Sequence, residues 1–210
     1  MDSLTLKIEA LAWLRFTKRM PYICTEGGHW NSDVIGCDND VSVEIEVKVS
    51  GADLRREFTS KTHKHSYYRS CAGGNNCPTY FYLYVPKVLE KVAIALIEKH
   101  QPKAGLITYD DGAEELSYRD GKRSTVVRKP KKLHEERPSE SFKRDLLLRM
   151  GSELIARHVA WKKFKTQFSD TLQEASSKIS EEVKKSLESH NLEETDDPNS
   201  EDSKADGSIT

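Results

Sequence analysis

The sequence predicts an α/β domain with a central mixed sheet, followed by a helical extension and an acidic tail. Three observations carry this expectation. The stretch Val43-Glu44-Ile45-Glu46-Val47-Lys48-Val49 alternates strictly, with four apolar side chains on one face of a strand and Glu44, Glu46 and Lys48 on the other. Residues 1–135 read as helix, three strands, helix, strand and then further mixed elements, whereas from Pro138 onward only helical spacing remains. The 210 residues suffice for one packed domain with appendages.

Each element follows from local chemistry. Ser3 is an expected N-cap for a first helix to about Thr17, with Leu4, Ile8 and Leu11 on one face. Tyr22 to Glu26 reads as a strand, Gly27-Gly28 as a turn, and Asn31 to Cys37 as a second strand. Asp38-Asn39-Asp40 is turn chemistry, so Val41 to Ser50 returns antiparallel and completes a meander. Gly51-Ala52-Asp53 opens a polar helix to about Lys61, and His65 to Pro78 reads as a loop. Thr79 to Val85 is an aromatic, buried strand ended by Pro86, and Val88 to His100 a helix. Gly105–Tyr109 and Ser124–Arg128 read as further strands, the latter at an edge. Pro138-Ser139 starts a long helix carrying Phe142, Leu146, Met150, Leu154 and Ile155, and an intermittent apolar stripe continues through Leu172, Ile179, Val183 and Leu187. The expected division is 1–135 for the α/β core, 136–187 for the helical extension and 188–210 for a disordered tail.

The net charge of −1 conceals an asymmetry. Ser186–Thr210 carries eight acidic residues and a single lysine, so the preceding body is net basic and compatible with a polyanionic partner. No apolar run approaches the roughly 20 residues of a membrane span, and the N-terminus lacks a signal-peptide layout. The expectation is a cytoplasmic protein with no membrane partner, whose Cys24, Cys37, Cys71 and Cys77 form no structural disulfides.

The chemistry-bearing constellation is Asp33 with Glu46 and Lys48. A hard cation that polarises a phosphate oxygen and activates water needs only one or two carboxylates, and a nearby lysine can orient the water or stabilise the charge developing on phosphorus. A hairpin folded about Asp38–Asn39 opposes Asp33 to roughly Ser42–Glu46. The competing account is an ordinary solvent-exposed strand face whose cross-strand ion pairs contribute little.

Asp33 in Ser-Asp-Val-Ile-Gly, Glu46-Val-Lys48 at the end of an apolar strand, and the element order together resemble the PD-(D/E)XK nuclease superfamily over about Leu4 to Val85. Val49-Ser50-Gly-Ala-Asp53-Leu followed by Phe-Tyr-Leu-Tyr-Val-Pro86 looks like the small bacterial and phage members that act in DNA repair or recombination. The resemblance implies a restriction-endonuclease-like core and a magnesium-dependent endonuclease, with manganese able to substitute. It further implies that Asp33 and Glu46 bind the metal while Lys48 assists the water. A further acid would come from Glu9 or Glu26, with Glu26 preferred because it ends the strand paired with that of Asp33. Glu44 shares the face of Glu46 and can replace or supplement it. The alternative function is a nuclease-fold module that binds nucleic acid without cutting. A third is a structural or interaction protein of a phage or bacterium.

Arg55, Arg56, Lys61, Lys64, Tyr67 and Arg69 mix cations with aromatics directly after the candidate strand and are the expected contacts to DNA, or less favourably RNA. His63, His65, Cys71 and Cys77 are zinc-ligand types, but Cys-x5-Cys and His-x-His are poor spacings, and a loop with incidental thiols is the favoured reading over Zn2+. The C-terminal helix offers a surface for a protein partner or self-association.

Overall fold

The computed structural model describes residues 2–71, 73–110 and 123–193. The chain divides into two compact units, Met1–Ile155 and Ala156–Thr210. The first is an α/β unit built on a six-stranded mixed sheet. Its strands are β1 (Tyr22–Gly27), β2 (Ser32–Cys37), β3 (Ser42–Val47), β4 (Tyr80–Pro86), β5 (Gly105–Tyr109) and β6 (Ser124–Arg128), in spatial order β1-β2-β3-β4-β5-β6. β1–β2, β2–β3 and β5–β6 pair antiparallel; β3–β4 and β4–β5 pair parallel.

Helix α1 (Ser3–Ala12) continues into a π turn at Trp13–Thr17. Its N-cap is Asp2, whose carboxylate accepts from Thr5 N at 2.7 Å, one residue earlier than the expected Ser3. The expected apolar face is also corrected. Leu4 and Ile8 are exposed, while Leu6, Ala10, Trp13 and Leu14 pack on Val43, Ile45, Val47 and Tyr82. The apolar residues of this helix point to several sides of it, so spacing alone does not choose the face.

Helix α2 (Gly51–Ser60) is capped by Ser50, whose hydroxyl accepts from Asp53 N at 3.1 Å. The segment after it, expected to be a loop from His65, is a second helix, α3 (Thr62–Ser70). With α4 (Glu90–His100), these helices bury Leu54, Phe58, Tyr68, Ala93 and Ile97 against Phe81, Leu83, Val85 and Leu106, on the sheet face opposite α1. The long α5 (Glu140–Glu193) starts after Ser139, whose hydroxyl accepts from Phe142 N at 3.2 Å. Its first turns, with Phe142 and Leu146 buried against Cys24, Ile35 and Cys37, belong to the α/β unit. The helix runs through Glu193, past residue 188 where disorder was expected; residues 194–210 of that tail lie outside the described residues. Among the described residues no helix is long and apolar enough to cross a membrane.

Burial drives the thiols of Cys24 and Cys37 up to about 12, as for small core residues, and all four cysteines are free.

Candidate functional site

Strand register brings the three central residues together. Val34 pairs with Ile45 and Thr25 with Val34, which sets Asp33 across from Glu46 on one side and from Glu26 on the other. The contacts agree. Asp33 Oδ2 accepts from Val47 N at 3.0 Å and lies 3.6 Å from Lys48 Nζ, which donates to Glu46 Oε2 at 2.9 Å. On the other side, Lys7 from α1 joins Glu26 to Asp33, reaching Asp33 Oδ1 at 2.9 Å. Carboxylates and ammoniums therefore alternate across three strands.

The polar face of β3 is not solvent-exposed. All six residues of the strand are buried, and α2 and α3 lie over Glu44 and Glu46. Glu46 is 0 % exposed and ion-paired to Lys48, Lys61 (3.0 Å) and Lys64. Lys64 also reaches Glu44 Oε1 at 2.6 Å, and Tyr68 donates to Glu44 Oε2 at 2.6 Å. Glu57 on α2 accepts from His65 Nε2 at 3.1 Å and contacts Lys48 (3.0 Å) and Lys61 (3.1 Å). The ordinary exposed strand face is thus excluded.

Electrostatics keep this network charged. Burial pushes the Glu46 carboxyl up, but Lys64, Lys48 and Lys61 outweigh it and hold the group well below the usual carboxylate range. Burial works against the ammoniums of Lys48 and Lys64, yet the surrounding glutamates raise both above the ordinary lysine value. Burial and the nearby Glu46 push Glu57 up, while the His65 hydrogen bond, Lys64 and Lys48 bring it down to about 2 from an ordinary 4.5. A carboxyl depressed on folding stabilises above its unfolded value and loses that contribution as pH falls through its folded one. The midpoint of thermal unfolding is therefore expected to fall steeply as pH drops from 4.5 to 2, and Glu57→Gln to flatten that limb.

Five acids and four lysines were not all foreseen. Asp33, Glu46, Lys48, Glu26 and Glu44 converge as expected. Glu9 instead pairs with Arg123 at 3.3 Å. Lys7, Glu57 and Tyr68 were missed, although Glu57, Lys61, Lys64 and Tyr68 recur at helical i, i+3 and i+4 spacing. Among the expected DNA contacts, Arg55, Arg56 and Tyr67 are exposed and Lys61 is 39 % exposed. Arg69, also exposed, donates to the His100 carbonyl at 2.8 Å. Lys64 is corrected: it is 1 % exposed and belongs to the carboxylate network rather than to a phosphate surface. Of the zinc-type residues, His63 is exposed, His65 serves Glu57, and the Cys71 thiol contacts Gly73.

The rim is conformationally unusual. Glu26 (φ 50°), Gly28 (φ 73°) and Asn31 (φ 51°) are all left-handed, and Asn31 Nδ2 donates to Glu26 Oε2 at 3.1 Å. Glu26 and Asp33 are the reachable acids, 37 % and 20 % exposed at the side chain. Beside Glu26 opens a cavity of about 370 Å³ lined by His29, Asn76, Asp145 and Arg149.

Among the described residues no three His, Cys, Asp or Glu side chains form a ready-made metal cage. Magnesium does not need one, since it takes one or two carboxylates and keeps waters. The donors are all hard oxygens on adjacent strands, so the residues fit Mg2+ or Mn2+, on the condition that the cation displaces ammoniums from Asp33 and Glu46.

No family model matches the chain, and no curated protein matches it. A solved structure of a protein of unknown function from Silicibacter pomeroyi is 14 % identical, with 77 % of this chain and 92 % of that chain covered and a TM-score of 0.47.

Proposed function

We propose that the chain is a magnesium-dependent endonuclease of the PD-(D/E)XK type, with a restriction-endonuclease-like core, that hydrolyses DNA in repair or recombination in the cytoplasm. The observation that carries this reading is the register that sets Asp33 across from Glu46, with Lys48 beside both carboxylates. Asp33 and Glu46 would hold Mg2+ or Mn2+, which supplies polarisation of the phosphate and a more acidic water. Glu26 adds a carboxylate at the rim. Lys48, held protonated by Glu46, Glu57 and Asp33, stabilises charge on the phosphorane as a cation. Arg55 and Arg56 neutralise backbone phosphates, and Tyr67 offers a stacking face.

The test is calorimetric titration with Mn2+ alongside cleavage of plasmid DNA. The parent is expected to bind and cut, and Asp33→Asn to lose both. Among the described residues Lys61 is the only Glu46 partner with substantial exposure, so it is the one placed to leave when a cation enters. Lys61→Met is expected to tighten Mn2+ binding by about 10-fold, one competing charge at short range being removed. No Mn2+ heat in any variant would discard the metal reading.

The complete burial of Glu46 under three lysines favours one second reading: a module of the same fold that binds nucleic acid without cutting. It predicts DNA affinity sensitive to Arg55→Ala and Arg56→Ala, with neither Mn2+ binding nor cleavage.

A further inference from the structure

The described residues of the second unit form a single helix, and it carries an ordered apolar stripe. Trp161, Phe164, Phe168, Leu172, Ala175, Ile179 and Val183 follow one another at spacings of three, four, four, three, four and four. Eleven residues in this pattern complete three turns almost without drift, so the stripe runs straight along one face for about 33 Å. Its six large members are each more than half exposed. Trp161 and Phe164 stack at 5.5 Å, and Phe164 and Phe168 at 6.0 Å.

The exposed parts of these side chains amount to roughly 600 Å², given 150–250 Å² for each whole aromatic side chain. That is at the upper limit of the patch a monomer leaves open, and near the 800 Å² or so that each partner contributes to a stable dimer. The stripe is also complementary to its own reverse. About Leu172, Trp161 mirrors Val183, Phe164 mirrors Ile179, and Phe168 mirrors Ala175. An antiparallel second copy therefore sets each aromatic against a smaller aliphatic residue, which fills space evenly. A parallel copy would crowd three aromatic pairs at one end and leave facing alanines at Ala175. It would also bring Lys162, Lys163 and Lys165 of both copies to one level, where the reverse pairing sets them against a stretch in which Glu181 and Glu182 balance Lys184 and Lys185. The same near-balance of charge along the helix gives an anionic lipid surface no net attraction.

We infer that the face from Trp161 to Val183 is a two-fold, antiparallel self-association surface, and that the chain is a dimer through it. A closed pair is what a self-complementary patch produces.

Sedimentation equilibrium of the full chain is expected to give twice the chain mass. The double variant F164E/F168E should weaken the dimer by about 100-fold or more while leaving the thermal transition of the α/β unit in place. Lysine-to-lysine cross-linking of dimers mixed from isotopically light and heavy chains should join Lys162 or Lys163 of one copy to Lys184 or Lys185 of the other. A monomeric parent would overturn the inference, as would Lys162 linked to Lys162. Co-sedimentation with phosphatidylserine vesicles by a chain that stays monomeric without them would assign the face to a lipid surface instead.

Discussion

Lys64→Met is expected to destabilise the α/β unit by about 3–5 kcal/mol, the loss that follows when a buried ion pair keeps its carboxylates but loses its cation. Lys64 is wholly buried and reaches Glu44 at 2.6 Å, Glu46 in direct contact and Glu57 at 3.9 Å. Methionine fills similar volume, so the effect reports charge rather than a cavity. Urea denaturation measures it, and the midpoint temperature should fall by roughly 10 °C for a domain of this size. Adding Glu44→Gln should recover part of the loss, because the excess negative charge is then relieved and Tyr68 keeps an acceptor. A single-variant loss under about 1 kcal/mol would mean that Lys64 is not the counter-charge of this network.

Lys48→Ala is expected to lower magnesium-dependent cleavage by about 100- to 1000-fold while DNA affinity stays within about twofold. The ammonium is fixed by Glu46 at 2.9 Å and Glu57 at 3.0 Å, and it is buried away from the exposed Arg55 and Arg56. The three acids around Lys48 overcome the effect of burial and keep it protonated, so no loss of rate should set in near neutral pH through this residue. Cleavage kinetics at matched folding, checked by circular dichroism, decide the point. A variant that cuts like the parent removes Lys48 from the chemistry. One that loses DNA binding equally assigns it to the phosphate surface.

The sheet was legible where one face of a strand is apolar. The alternation from Val43 to Val49 and the Asp38–Asn39 turn were enough to place Asp33 near Glu46, because a hairpin leaves little freedom of register. Helix α3 was illegible for the opposite reason. Its buried face is Lys64, His65 and Tyr68, and a helix that buries charge carries no apolar period. Glu57 was missed for the same cause. Lys7 could not be found from α1, whose apolar residues surround the helix and leave the inward face undetermined until the π turn at Trp13–Thr17 is seen.

The left-handed pair at the rim has a consequence for engineering. Glu26 and Asn31 hold a backbone conformation that glycine adopts freely and that disfavours other residues by about 1 kcal/mol each. A sequence optimised for thermostability alone would replace both with glycine. The same exchange would erase the carboxylate that Lys7 clasps and the amide that steadies it. Ruggedness and a complete carboxylate rim are competing objectives at these two positions, and a thermostable version of this protein should be selected with Glu26 and Asn31 held constant.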